Sequence, residues 1–277
     1  MMRLSAEYND KQSIEVLVAT TGQVDFSLFE KMNLRCDTII ANQDNHNNFL
    51  ETYINGYRVR MITTDTKGVG INRNLAMQLS EADICLLADD DIIYTDSAID
   101  DILKAFDEEP LADIIGFSLS ANTPENARIN VKNGRTIRNF GAACMAYRNI
   151  SIKKTCLSFS RLFGGGSKFS SGEDSLFCIQ ARAAGLKIYQ RTEIIGIHGG
   201  RESTWFNGYT DKFYRDKGVF FAAAYPFTKN FMCAQLLFRR PEIYKNGSKS
   251  FAQALKLMRQ GFILYENVGK KEDKDNV

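Results

Sequence analysis

The most constraining stretch of this chain is Ile84-Cys85-Leu86-Leu87-Ala88-Asp89-Asp90-Asp91, an apolar run that ends in three consecutive carboxylates. A short, uniformly apolar run suits a strand buried on both faces of a parallel sheet. In open α/β sheets, ligands bind beyond the carboxyl ends of the strands. The expectation therefore puts Asp89, Asp90 and Asp91 at that edge, in a crevice. Three like charges there repel one another unless a cation or a set of donors holds them. A hard divalent metal bridging to phosphate oxygens would do so. The other reading is a turn whose aspartates cap the next helix.

The chain has 277 residues, room for one large domain or a domain with an appendage. A hydrophobic content of 44% with 25% charged residues is that of an ordinary globular protein. A formal net charge of +2 gives no ground for nucleic-acid binding. The six cysteines are scattered without a CxxC pair, which argues against a zinc site built on paired cysteines. Several sit in apolar runs and read as small buried residues of a reducing compartment. The first ten residues contain no apolar h-region, and no segment offers an uninterrupted membrane span. The expectation is a cytoplasmic protein.

Ile14 to Ala19 reads as the first strand, with Thr20-Thr21-Gly22-Gln23 as the loop after it, and Asp25 starts a helix through Met32. Cys36 to Ala41 is a second strand that ends in Asn42-Gln43-Asp44. These polar strand ends suit a nucleotide base, although ordinary loop polarity explains them as well. Asn55-Gly56 marks a tight turn between two strands. Then comes Thr66-Lys67-Gly68-Val69-Gly70-Ile71-Asn72-Arg73-Asn74, two glycines ahead of a helix. Lys67, Arg73 and the backbone amides could face phosphate there, or Arg73 is a solvated helix residue.

After the aspartates, a helix from Asp96-Ser97 carries Ile99, Ile102, Leu103 and Phe106 on one face. Ala112 to Ser118 and Phe140 to Tyr147 read as further strands, with a polar loop or hairpin over residues 123–138 between them. Phe163-Gly164-Gly165-Gly166-Ser167 then leads through Ser170-Ser171-Gly172 to Glu173-Asp174 at a helix start. Ser170 and Glu173 have the spacing of a capping box. Capping explains Glu173 but neither Asp174 nor the glycines. The helix ends near Gly185, a C-cap signal. Leu186 to Tyr189 is a short strand, and Glu193 to Ile197 ends at His198, one of two histidines. A lone histidine is more often structural than a ligand.

From Trp205 aromatic residues crowd the chain, and Arg239, Arg240, Lys245, Lys249, Lys256 and Arg259 follow. These read as amphipathic helices that pack on the main domain. A sharper reading gives them a basic, aromatic surface that touches a membrane. The expected division is 13–205, 206–268 as a helical extension, and 269–277 as a disordered charged tail.

The order of these signals resembles the family 2 glycosyltransferases, over about Ile14 to Trp205. The resemblance implies a GT-A-like (Rossmann-related) α/β fold: a mostly parallel central sheet flanked by helices. It implies that Thr20, Thr21, Gly22, Asn42, Gln43 and Asp44 hold the nucleoside of a nucleotide-diphosphate sugar. Lys67, Gly68, Arg73, Asn74, Asp89 and Asp90 complete the donor site. The Asp-x-Asp metal motif maps to Asp89 and Asp91, with His198 as a further ligand of Mn²⁺ or Mg²⁺. Asp174, with Glu173 beside it, maps to the catalytic base of inverting members. The implied activity is a hexosyltransferase of bacterial surface polysaccharide or glycoconjugate synthesis. Its acceptor would be a glycan or lipid-linked hydroxyl, and its place the cytoplasm, peripheral at the inner face of the membrane. Asn42-Gln43 stands where many members carry an acidic pair that reads uracil, so the resemblance does not name the donor.

Two other functions fit parts of the pattern. A sugar nucleotidyltransferase uses a related sheet but wants a glycine-rich loop after the first strand, where this chain has one glycine. A nucleotide- or glycan-binding module would keep the fold without the chemistry.

Overall fold

The computed structural model describes residues 12–121, 134–136, 139–199 and 208–275. They fall into two compact units. Unit 1 comprises Met1–Asp65, Leu75–Cys156 and Leu186–Gly200, and unit 2 comprises Thr66–Asn74, Leu157–Gly185 and Arg201–Val277. The units are discontinuous along the chain, whereas the sequence reading cuts it into consecutive segments after residues 205 and 268; residue 205 lies outside the described residues. Most of the expected loop over 123–138 lies outside them too.

Unit 1 is built on one sheet. Its strands are β1 (Ile14–Thr21), β2 (Asp37–Gln43), β3 (Asn48–Ile54), β4 (Tyr57–Thr64), β5 (Ile84–Asp89), β6 (Ile92–Tyr94), β7 (Ile114–Ala121), β8 (Gly134–Arg135), β9 (Met145–Arg148) and β10 (Ile188–His198). The spatial order is β3-β4-β2-β1-β5-β9-β7-β10-β6, with β8 beside β10. Strands β4, β2, β1 and β5 pair in parallel, as do β7 and β10. Strand β9 runs antiparallel between β5 and β7, so β7 and β10 point the same way as β5. The sheet is thus mostly parallel in direction, as expected, with antiparallel β3, β6, β8 and β9 among it.

The parallel core is apolar on both faces because helices cover it. Val16, Val18, Ile39, Ile40, Leu86 and Leu87 are fully buried. Helices α1 (Ser27–Lys31) and α3 (Ala98–Glu108) belong to this unit, as does α4 (Asn149–Thr155). Helix α3 buries Ile102 and Phe106 of the expected face together with Ala98 and Ala105, while Ile99 and Leu103 are half-buried against the same core. Asn55 and Gly56 both take positive φ, 52° and 86°, in the β3–β4 hairpin, the geometry that favours Asn-Gly. Strand β10 is one long strand where the sequence suggests two. Its register shifts between Gln190 and Gly196, around a buried guanidinium. Arg191 Nη2 donates to Glu108 Oε2 and Glu193 Oε1, each at 2.6 Å.

Helix α2 (Val69–Leu79) begins in unit 2 and ends in unit 1. The rest of unit 2 is α5 (Glu173–Ala183), α6 (Asp211–Ala224), α7 (Lys229–Arg239), α8 (Glu242–Asn246) and α9 (Phe251–Asp275) with their connections. Helices α6 and α9 pack backbone to backbone. A Cβ on Gly218 would stand 1.8 Å from the Met258 carbonyl oxygen, and one on Gly261 would stand 2.2 Å from that of Arg215. Tyr214, Cys233, Leu237, Ala254 and Met258 fill the core between the helices. The backbone of α9 is helical through Asp275, into the stretch expected from sequence as a charged tail. No helix among the described residues is long and apolar enough to cross a membrane.

Candidate active site

Strands β1, β2, β5 and β10 end at one edge of the sheet, with Thr21, Gln43, Asp89 and His198 as their last residues. The parallel register sets Thr20 beside Asn42, Thr21 beside Gln43 and Ala19 beside Asp89. The strand-end residues that the sequence singles out in unit 1 therefore share the carboxyl edge.

Asn42 is fully buried and spends its amide inside the protein. Its Nδ2 donates to the Gln23 carbonyl at 2.9 Å and to Thr63 Oγ1 at 3.0 Å, and its Oδ1 accepts from Gln23 N at 2.9 Å. Gly22 N donates to the Gln43 carbonyl at 2.9 Å, with φ of 68° that suits glycine. Asn42 thus shapes the Thr20–Gln23 loop, a positioning role where the sequence suggests direct donor contact. Asp44 stays at the edge and accepts from Asn45 N at 2.7 Å.

Asp90 and Asp91 form the turn between β5 and β6 and cap no helix, since α3 starts at Ala98. Thr20 Oγ1 donates to Asp90 Oδ2 at 2.6 Å. The antiparallel register of β6 on β10 sets Ile92 opposite His198 and so brings the preceding Asp91 to that end of β10. Gly199 N donates to the Asp91 carbonyl at 2.7 Å, and a Cβ on Gly199 would stand 2.7 Å from that oxygen. His198 Nε2 then lies 3.6 Å from Asp91 Oδ2. Asp91 Oδ1 is buried without a hydrogen-bond partner. A buried carboxylate oxygen without a protein partner is uncommon in native proteins, and an ion or a water is the usual source of the missing bond. Asp89, Asp91 and His198 do not form one cluster. Among the described residues no group of three or more His, Cys, Asp or Glu side chains is placed to hold a metal.

In unit 2, Gly68 takes φ of 119° and its Cα approaches Ser167 so closely that a Cβ would stand 2.6 Å from Ser167 Oγ. Val69 N donates to the Gly165 carbonyl at 2.8 Å. Asn74 exchanges two hydrogen bonds with the Phe159 backbone, at 2.8 Å and 2.7 Å. Arg73 Nη1 donates to Asp174 Oδ1 at 2.9 Å, lies 3.6 Å from Glu173 Oε1, and covers the Phe159 ring. Arg73, expected to face phosphate, and Asn74, expected in the donor site, are both engaged with the 157–185 segment in this structure. Lys67 remains exposed.

The expected capping box is absent. Ser170 N and Oγ both donate to Asp216 Oδ2, at 3.2 Å and 3.1 Å. Helix α5 starts from Gly172 with φ of 113° and no side-chain cap. Glu173 and Asp174 are its first residues, where the helix dipole favours carboxylates. Sequence reasoning missed Asp216 and Phe159, and only the three-dimensional contacts reveal them.

Residues 27–162 match the family model described as glycosyl transferase family 2. Thr20 to Gly22 precede that match, and Asp174 and His198 follow it. Among solved structures, S. aureus TarS 1-349 in complex with UDP-GlcNAc is 16% identical with a TM-score of 0.56, over 95% of this chain and 92% of that one. Another structure of S. aureus TarS 1-349 is 14% identical with a TM-score of 0.57 over the same shares. TarS 1-349 in complex with UDP is 16% identical with a TM-score of 0.55, again over 95% and 92%. At such identities the likeness is one of fold. None of the curated proteins matches this chain.

Proposed function

We propose that this chain, whose residues 27–162 belong to glycosyl transferase family 2, moves a sugar from a nucleotide-diphosphate donor to a hydroxyl acceptor. The observation that carries this reading is the Asp91–His198 pair at the carboxyl edge of the sheet. One aspartate oxygen there is buried and unpartnered, with an imidazole 3.6 Å from the other. A carboxylate oxygen and an imidazole suit Mn²⁺ or Mg²⁺. Asp91 and His198 would be the residues that hold the ion. When bound, the ion neutralises charge on the departing nucleotide diphosphate.

The chain's own residues do the rest. Asn42 and Gly22 fix the loop and strand end that face the nucleoside, and Thr20 holds Asp90. Asp174 is the base that takes the acceptor's proton as its oxygen attacks the anomeric carbon, a single displacement with inversion. Arg73 fixes that carboxylate. The neighbours crystallised with UDP-GlcNAc and UDP make a uridine donor the first to test. Bacterial surface polysaccharide synthesis is the setting this reading favours.

The membrane-facing part of the proposal rests on α7 and the turn before it. Phe227 in that turn and Phe231 and Phe238 in the helix are 100%, 63% and 82% exposed, and Arg239 follows Phe238. Large aromatic side chains with cations at such a surface suit the boundary of an anionic bilayer. Co-sedimentation with phosphatidylglycerol vesicles should retain the protein at low salt and release it at high salt. Absence of retention at low salt would leave α7 with a packing role alone.

The deciding experiment incubates purified protein with Mn²⁺ and a panel of nucleotide sugars. Slow donor hydrolysis supports a transferase. Pyrophosphate-dependent formation of a nucleoside triphosphate would mean a nucleotidyltransferase. Binding with neither reaction would mean a module.

A further inference from the structure

Unit 2 contains a cavity of about 400 Å³ walled by Tyr209, Phe213 and Phe220 of the α6 region and Leu236 of α7, with Lys217 and Arg240 also lining it. The volume is within the range of about 300–1,000 Å³ common for small-molecule sites. Its composition is unusual for a structural void, because it joins two cations to an otherwise aromatic and aliphatic wall. Among the described residues, the side chains of Lys217 and Arg240 make no hydrogen bond and no ion pair with a carboxylate. The Lys217 ammonium lies over the Phe213 ring, 5.7 Å from its centroid. Burial pushes the Lys217 ammonium below the ordinary lysine range, and Arg240 adds to that. Asp216 and Glu173 offset it in part. The two cations repel each other, and a bound anion would relieve that repulsion and offset the hydration that Lys217 has lost.

The cavity adjoins the start of α5. Phe220 lies against Gly172 so closely that a Cβ there would stand 2.7 Å from Phe220 Cδ2. Gly172 immediately precedes Glu173 and Asp174. One aromatic ring therefore both walls the cavity and supports the turn that presents Asp174.

We propose that this cavity anchors the acceptor, and that the acceptor is a hydroxyl-bearing phosphate ester. Lys217 and Arg240 pair with the phosphate, and the rings of Phe213 and Phe220 lie against its carbon body. Two cations match a phosphate monoester better than a carboxylate, because the phosphate carries up to two charges and three acceptor oxygens. Aromatic faces suit the apolar face of a sugar ring or an alkyl chain. The assignment of this ligand as the acceptor rests on the transferase reading above; the phosphate-ester site itself does not.

The test compares wild type with Lys217→Met and Arg240→Gln. Arg240 is exposed, so its variant keeps the fold even if the lysine variant does not. Calorimetry with a hexose 6-phosphate, the unphosphorylated hexose and inorganic phosphate reads the cavity, and UDP-GlcNAc with Mn²⁺ reads the donor site. The expected result is that hexose phosphate binds wild type, weakens at least about tenfold in each variant, and leaves UDP-GlcNAc affinity unchanged. Equal binding of the unphosphorylated hexose would overturn the proposal. So would hexose phosphate affinity that neither variant changes. Retention on phosphatidylglycerol vesicles that both variants abolish, without binding of the soluble ester, would assign the cations to a lipid headgroup and also overturn it. Variant-sensitive hexose phosphate binding with no UDP-GlcNAc binding would uphold the anion site and sink the transferase reading instead.

Discussion

Arg73 Nη1 stands 2.9 Å from Asp174 Oδ1, from a side chain only 4% exposed, and joins the start of α2 to the start of α5 within unit 2. A guanidinium stays protonated, so this bond fixes the orientation of an anionic oxygen. Asp174→Asn keeps size and shape but cannot accept a proton. Turnover should fall about a hundredfold to ten-thousandfold, with donor affinity and melting temperature near wild type. Arg73→Ala should instead lower stability by about 3 kcal/mol or more, because it strands the carboxylates of a partly buried pair. Thermal unfolding and turnover measured side by side separate the two roles. Near-normal turnover in Asp174→Asn would refute its assignment as the base.

Asp91→Ala should abolish the tightening of UDP binding by Mn²⁺, because it removes the orphan oxygen and its partner together. His198→Ala should weaken the same tightening less severely. Titration calorimetry of UDP with and without Mn²⁺ checks both. Equal metal dependence in Asp91→Ala would rule out the pair as the metal's protein ligands.

Asn42→Ala should act mainly on stability. It leaves Gln23 N and the Gln23 carbonyl short of partners, at a cost of about 2 kcal/mol. A donor-contact role predicts the opposite pattern, an unchanged melting temperature with weakened donor binding. Differential scanning calorimetry alongside donor titration discriminates between them.

Acid unfolding should show the Arg191 cluster. The hydrogen bond from Arg191 is the main cause holding the Glu193 carboxyl below its usual range. Its folded value lies below its unfolded value. Its stabilisation is therefore complete above the unfolded carboxylate range and disappears as pH falls through the lowered folded value. Glu193→Gln should flatten the acid limb of stability against pH and leave the slope above pH about 6 unchanged. Urea midpoints measured across that range check it, and an unaltered acid limb would contradict it.

The legible parts of this chain were those that depend on local pattern. Strands β1, β2 and β5 each carry a short apolar run bounded by polar or turn residues, and Asn55-Gly56 carries its own dihedral preference. The helix face of α3 follows from spacing alone. Strand β10 was obscured because Arg191, Thr192 and Glu193 interrupt its apolar pattern, although the backbone continues through a register shift. The capping-box spacing misled because Asp216, from another helix, takes the Ser170 hydroxyl. Arg73 and Asp174 are 101 residues apart, and no local pattern couples them. The same limit hid the second role of Asn42, whose polarity suggested a ligand and whose burial serves the loop. The Asp91–His198 pairing was suggested by family likeness, while the β6 register that creates it lies in the fold.

The glycine contacts between α6 and α9 have a hereditary consequence. With main chain against main chain at Gly218 and Gly261, no other amino acid fits at either position unless the helices move apart. Drift at one position cannot be absorbed by a smaller neighbour, since no side chain is there to shrink. Lineages that keep this helix crossing must therefore keep both glycines together, even where every other residue of the helices has changed. The pair offers a signature for finding distant kin of unit 2 that overall identity would miss.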